Sequence, residues 1–211
     1  LIEENSFIGL YDLFLLDLSY NQLEYISSRL FKGLSFLETL MLTGNKIKSI
    51  HADALIDLTN LLSIRLDQNN LSVFDKYLIR KNLYLYDLSL ESNQMDQFRA
   101  DLSSTYFRSL MSLDLSENRL QNITKNYFKG FNQLIRLFLD KNQIDFIDSD
   151  SLSNLERLVM LGLSKNRIKS ITSSILLVFE FGCRDLIVKS NPIERFETTQ
   201  ITDANTEPNK M

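Results

Sequence analysis

The sequence is poor in the residues that staple small domains together. Among 211 residues there is one cysteine, Cys183, so no disulfide can form within the chain. A single thiol fits a reducing compartment, and equally an extracellular array whose disulfides belong to terminal caps. Two prolines and six glycines exclude a linker-rich or low-complexity chain. No apolar run approaches the roughly 18 residues needed to span a bilayer, and the stretch ILLVF at 175–179 is far too short. A secretory leader pattern is absent. The formal net charge of −4 argues against a phosphate-backbone partner, because such binding depends on cationic side chains.

Catalytic and metal signatures are equally scarce. His51 is the one histidine, which excludes the paired histidines of metallohydrolases and leaves Cys183 without a base to activate it. Neither H-E-x-x-H, a Gly-rich phosphate loop nor a calcium loop occurs. His51 reads as a solvated loop residue and Cys183 as a small buried hydrophobe. No enzyme activity, cofactor or metal is expected.

What the sequence does have is a repeat. LMSLDLSENRLQNI (110–123) recurs as LFLLDLSYNQLEYI, LETLMLTGNKIKSI, LLSIRLDQNNLSVF and LYDLSLESNQMDQF before it, and as LIRLFLDKNQIDFI, LVMLGLSKNRIKSI and CRDLIVKSNPIERF after it. Aligned on the ninth position, the asparagines are Asn21, Asn45, Asn69, Asn93, Asn118, Asn142, Asn166 and Asn191. Their spacings are 24, 24, 24, 25, 24, 24 and 25 residues, a register that chance does not produce. Residues 1–12 close an incomplete repeat, and complete ones start at 13, 37, 61, 85, 110, 134, 158 and 183. The array is expected to run over 1–196 and to continue upstream of Leu1, with 197–211 a polar tail.

Apolar residues fall at positions 1, 4, 6, 11 and 14 of each block. Positions 4 and 6 have strand periodicity with one face inward, so one short strand per repeat stacks into a parallel sheet. Pairs such as Phe31/Leu34, Leu55/Leu58, Phe128/Phe131 and Leu152/Leu155 plug the core from the far side. Too few residues remain for a long helix, so irregular or short 3-10 return segments are expected. The extra residue in the repeats starting at 85 and 158 falls in the return, with a local bulge expected in the first. The asparagines are assigned a structural role. Where the chain turns after the strand, a buried amide can accept from and donate to the exposed backbone groups, and stacking such residues makes a ladder.

The pattern L-x-x-L-x-L-x-x-N-x-L-x-x-I, with F-x-x-L behind it, resembles the leucine-rich repeat family. Its length resembles the 24-residue class found in Toll-like receptors and other animal cell-surface or secreted recognition proteins. Asn191-Pro192 begins as the family's C-terminal caps do, but Ile193–Phe196 supplies no cysteine. The resemblance implies an α/β-type, mostly β solenoid, curved as a horseshoe with a parallel sheet on its concave face. It implies a protein-protein recognition module of a receptor, adhesion or innate-immunity protein, taking a protein ligand or co-receptor. An intracellular scaffold or regulatory subunit is the alternative. In this fold positions 3, 5, 7 and 8 pave the concave face. They place Arg65, Asp67, Asp87, Glu91, Asp114 and Glu117 at its centre, followed by Arg136, Phe138, Asp140, Lys141 and Lys165. Asn70-Leu71-Ser72 and Asn122-Ile123-Thr124 match the N-glycosylation triplet, which this composition also produces by chance.

Overall fold

The apolar pair at positions 4 and 6 does build one three-residue strand per repeat. A computed structural model describes residues 2–98, 105–125, 127–148, 150–172, 175, 176, 178 and 182–196. Eight strands form one parallel sheet in strict chain order: β1 (Leu15–Asp17), β3 (Thr39–Met41), β5 (Ser63–Arg65), β6 (Asp87–Ser89), β7 (Ser112–Asp114), β9 (Arg136–Phe138), β11 (Met160–Gly162) and β13 (Asp185–Ile187). Register is fixed by the position-4 residues, which pair Leu40 with Ile64, Leu88 with Leu113, and Leu137 with Leu161. A slip of one residue would turn every buried leucine outward, so the hydrophobic set locks the pairing.

Beneath the sheet lies one continuous core. Leu40, Ile64, Leu88, Leu113, Leu137 and Leu161 are fully buried, as are Leu34, Leu58, Phe131 and Leu155 from the return side. Phe98, Phe107, Phe128 and Phe131 form an aromatic cluster, with the Phe107 and Phe131 rings stacked at 4.5 Å and Phe128 edge-on to Phe131 at 5.9 Å. Such pairs add roughly 0.5–1.5 kcal/mol beyond the area they bury.

Among the described residues the return segments hold two short 3-10 helices, Lys76–Ile79 and Thr105–Phe107. They also hold a second row of two-residue strands that the hydrophobic pattern does not announce. β2 (Tyr25–Ile26) pairs with β4 (Ser49–Ile50), β8 (Asn122–Ile123) with β10 (Phe146–Ile147), and β12 (Ser170–Ile171) with β14 (Arg195–Phe196), all parallel. Among the described residues, the repeats starting at 61 and 85 show no such strand and carry the 3-10 turns instead. The bulge expected after Phe98 and the tail 197–211 lie outside the described residues.

Each interior asparagine bonds as the repeat spacing suggests. Asn118 Nδ2 donates to the carbonyls of Leu90 (2.9 Å), Leu115 (3.1 Å) and Ser116 (3.0 Å). Its Oδ1 accepts from the Met95 amide at 3.0 Å. Asn45, Asn69, Asn93, Asn142 and Asn166 do the same with their own neighbours and are likewise buried. Asn191 is part-buried and binds Leu163 and Val188. Asn21 is exposed and donates only within its own turn. Every link therefore joins a repeat to the one before it.

One further buried asparagine stands outside the ladder. Asn82 occupies the position filled by Leu34, Leu58 and Leu155 elsewhere. Its Nδ2 donates to the carbonyls of Leu55 and Leu58 at 3.2 and 2.6 Å, while its Oδ1 has no partner among the described residues.

Two mutational outcomes follow from these contacts. Asn118→Ala strips a buried amide and several carbonyls of partners, at about 1–3 kcal/mol each, and should cost roughly 2–4 kcal/mol. Asn21→Ala should cost less, and exposed Asn122→Ala should stay within about 0.5 kcal/mol. Urea midpoints at unchanged m-value measure all three, and equal shifts would refute the ladder. Asn82→Leu should raise stability by about 1 kcal/mol, because it removes an unpaired buried acceptor while both carbonyls keep backbone donors, Leu58 and Leu61. A lower midpoint would show that the amide is needed there.

Candidate protein-binding face

Outward positions on the sheet and the turn after it form one polar face. Adjacent strands lie about 4.8 Å apart, so acids at successive repeats crowd unless something compensates them. Several are compensated internally. Arg65 meets Asp87 at 3.0 Å, and the Ser63 hydroxyl donates to the same carboxylate at 3.0 Å. Glu117 is held by Lys141 and by the Ser92 hydroxyl, and Lys141 in turn is pushed up by that bond. The hydrogen bonds from Lys141 and Ser92 keep the Glu117 carboxyl below its ordinary range.

Three acids lack an ion-pair partner among the described residues and are pushed the other way. Burial raises the Asp67 carboxyl, opposed by its hydrogen bond from Thr43 and by Arg65; the Ser89 hydroxyl also donates to it. Burial likewise raises Asp114, partly offset by the Ser116 amide at 2.9 Å. Glu91 is raised by burial first and then by the charges of Asp114, Glu117 and Asp67. The result is a cluster of carboxylates around Glu91 that Lys141 offsets only in part.

The chain thus brings together Asp67, Glu91, Asp114 and Glu117, but not all as open surface. Asp67 and Asp87 lie on the concave side yet are only 8% and 9% exposed, because neighbouring side chains close over them. Glu91, Asp114, Glu117 and Asp140 are half-buried, and Arg65, Arg136, Lys141 and Lys165 are exposed. Phe138 is half-buried, registered between Asp114 on one strand and Gly162 on the next. Gly162 has a local reason: a Cβ there would meet the Asp140 carboxylate at 2.1 Å, and that carboxylate is folded across to accept from the Ser164 amide at 2.8 Å. Asn70 and Asn122 are both exposed. His51 is exposed, its Nδ1 accepting from the Asp53 amide at 3.1 Å, and Cys183 is buried with its thiol pushed up by that burial.

The turn residues at position 8 were expected simply to face outward. Their backbone is the surprise: Tyr20, Gln68, Ser92, Glu117, Lys141, Lys165 and Ser190 all have φ between 53° and 61°, and Gly44 has 67°. The left-handed turn makes room for the asparagine that follows.

The chain belongs to the leucine-rich repeat family. The family's leucine-rich repeat model matches residues 1–47, 16–71 and 108–168, more than half of the sequence. Human lumican is 36% identical over 137 residues, 61% of this chain and 39% of that protein. Chicken lumican is 32% identical over 159 residues, 63% of this chain and 45% of the relative. The chain thus spans about two fifths of these relatives. Among solved structures, TLR13 in complex with ssRNA13 superposes with a TM-score of 0.79 at 26% identity, covering 89% of this chain and 26% of that one. The Drosophila Toll–Spatzle complex gives 0.74 at 18% identity, covering 92% and 29%, and shows the curved fold alone. With these relatives the chain is a leucine-rich repeat module of the animal extracellular type, an interaction scaffold rather than an enzyme. No helix among the described residues is long and apolar enough to cross a membrane.

The raised carboxyls have a sign that can be measured. A group with a raised folded pKa takes up its proton more readily when folded. Its contribution is fully present below the ordinary value, 3.8 for Asp114, and is lost as pH rises through the folded value. Asp114→Asn keeps an acceptor for the Ser116 amide and removes one charge facing Glu91 and Asp140. It should raise stability by on the order of 0.5–1 kcal/mol at neutral pH, with the gain vanishing below the ordinary carboxylate range. Denaturation midpoints at pH 3 and about 7 check this, and a loss of stability at neutral pH would contradict it.

Proposed function

We propose that this solenoid is the ligand-recognition part of an extracellular or cell-surface protein, and that it binds a basic protein surface through its concave face. The observation that carries the reading is the charge focus at Glu91, with Phe138 one strand beyond Asp114. Charge of one sign on a concave wall steers a complementary partner, and an aromatic side chain beside it is the kind of residue that anchors interfaces. The Toll–Spatzle neighbour is a complex with a protein, which supports a protein partner here. The TLR13 neighbour was solved with RNA, whereas the Glu91 region of this chain repels phosphate. Arg136 and Lys165 flank that region and set the polarity of the face. A receptor, adhesion or innate-immunity role, with a ligand or co-receptor as partner, follows from this reading.

A partner captured from an extracellular protein fraction supplies the test. Glu91→Gln should slow association several-fold and flatten its salt dependence. Phe138→Ala should speed dissociation by about 30-fold, the equivalent of about 2 kcal/mol for a hot spot. Lys32→Ala, on the return side, should do neither. If only Lys32→Ala weakens binding, or single-stranded RNA binds as tightly as the protein, the reading is wrong. Secretion of the array from animal cells should leave Asn70 and Asn122 glycosylated. Peptides that show no mass change on enzymatic deglycosylation would favour an intracellular scaffold.

A further inference from the structure

One flank of the solenoid carries an apolar row that neither the core nor the concave face uses. Position 2 of each repeat precedes the strand, and the row is continuous because each amide bonds the carbonyl of the same position one repeat earlier. Leu62 donates to Glu38, Tyr86 to Leu62, Met111 to Tyr86, Ile135 to Met111, Val159 to Ile135 and Arg184 to Val159, all at 2.8–3.0 Å. Tyr86, Met111 and Val159 are 43%, 41% and 38% exposed, and Leu62 and Ile135 are half-buried. Leu83 and Tyr84, exposed beside Tyr86, widen the strip. At about 4.8 Å per repeat the five consecutive apolar residues from Leu62 to Val159 span about 19 Å. Contiguous exposed apolar surface of this kind marks an interaction site.

The order of the row says what covers it. Met111 is the centre of the stretch from Glu38 to Arg184. Three repeats before it stands Glu38 and three repeats after it stands Arg184, both exposed and neither in an ion pair among the described residues. Read backwards, the stretch from Glu38 to Arg184 matches itself, apolar against apolar, with the end charges exchanged; exposed Phe14, whose carbonyl accepts from the Glu38 amide, extends the row one repeat beyond it. A closed two-fold contact requires that residue i meet j while j meets i. We infer that this flank binds a second copy of the chain, antiparallel about a two-fold axis through Met111. Met111 then meets its counterpart, Tyr86 meets the Ile135 position, Leu62 meets the Val159 position, and Glu38 pairs with the Arg184 position twice over. Curvature does not obstruct this, because a radial axis through the middle of an arc superimposes the arc on its own reverse. Glu38 and Arg184 are about 29 Å apart along the row, comparable to the width of an interface patch of about 800 Å² per partner. Both concave faces stay open, so self-association is independent of the proposed ligand site.

Sedimentation of the whole 211-residue chain from about 1 to 300 µM tests the assignment. A reversible monomer–dimer equilibrium is expected. Met111→Lys, which sets two ammonium groups against each other on the axis, should weaken it at least about 30-fold. Glu38→Arg and Arg184→Glu should each weaken it about tenfold, and the double variant should return to within about threefold of the original. The row is solvent-facing, so thermal midpoints should be unchanged. A chain that stays monomeric throughout overturns the inference, as does assembly that grows without limit. A dimer indifferent to Met111→Lys, or a double variant as weak as its parents, overturns it equally. All four outcomes leave the concave-face reading intact.

Discussion

A solenoid turn leaves backbone amides and carbonyls facing the interior, and everything else depends on satisfying them. Asn118 shows how: one amide group serves three carbonyls and one N–H, divided between two repeats. Burying those groups unpaired would cost more than the leucines around them contribute singly. The side chain must be short, must both donate and accept, and must recur at the turn. This fixes the period of the chain more strictly than hydrophobicity does. Leucine tolerates replacement by isoleucine at Ile64 and by cysteine at Cys183, whereas the asparagine position holds only asparagine in all eight repeats.

The same period dictates the electrostatics of the concave face. Parallel strands in register place like positions side by side, so any carboxylate is close to those of the flanking repeats. The chain meets this in two ways. Around Asp87 and Glu117 it supplies a cation and a hydroxyl. Around Glu91 burial and then the charges of Asp114, Glu117 and Asp67 raise the carboxyl, with no ion pair to hold it among the described residues. The first arrangement fixes side chains in place, and the second keeps an unmet electrostatic demand on the surface. The proposed binding reading draws on both, since a rigid frame lowers the entropic cost of engaging a partner.

The elements written in period were legible in the sequence, and those created by neighbours were not. Leu113 and Leu115, two apart, declare a strand with one buried face, and eight repetitions of Asn118 declare the turn. Nothing in Asn122-Ile123 or Ser49-Ile50 distinguishes them from loop, because two residues carry no periodicity. They become strands only when the preceding and following turns bring them level. The concave positions were legible as outward-facing, but the near-complete burial of Asp67 and Asp87 depends on Thr43, Ser63, Arg65 and Ser89 closing over them. Asn82 was hidden for the opposite reason: it breaks the pattern that made its neighbours readable.

The left-handed turn has a consequence for what the surface can say. Seven of the eight residues at that turn carry a side chain in a conformation that costs an L-residue roughly 1–2 kcal/mol and that glycine adopts freely. Glycine throughout would be the easier backbone and would leave that edge of the concave wall blank. Gly44 shows the alternative: a Cβ there would come within 2.5 Å of the Tyr20 ring, which lies over the vacant space from the repeat before. Where a repeat gives up its own side chain, its neighbour supplies the surface chemistry instead. The vocabulary of the face is therefore set by pairs of adjacent turns, and exchanging one repeat for another would rewrite two lines of it.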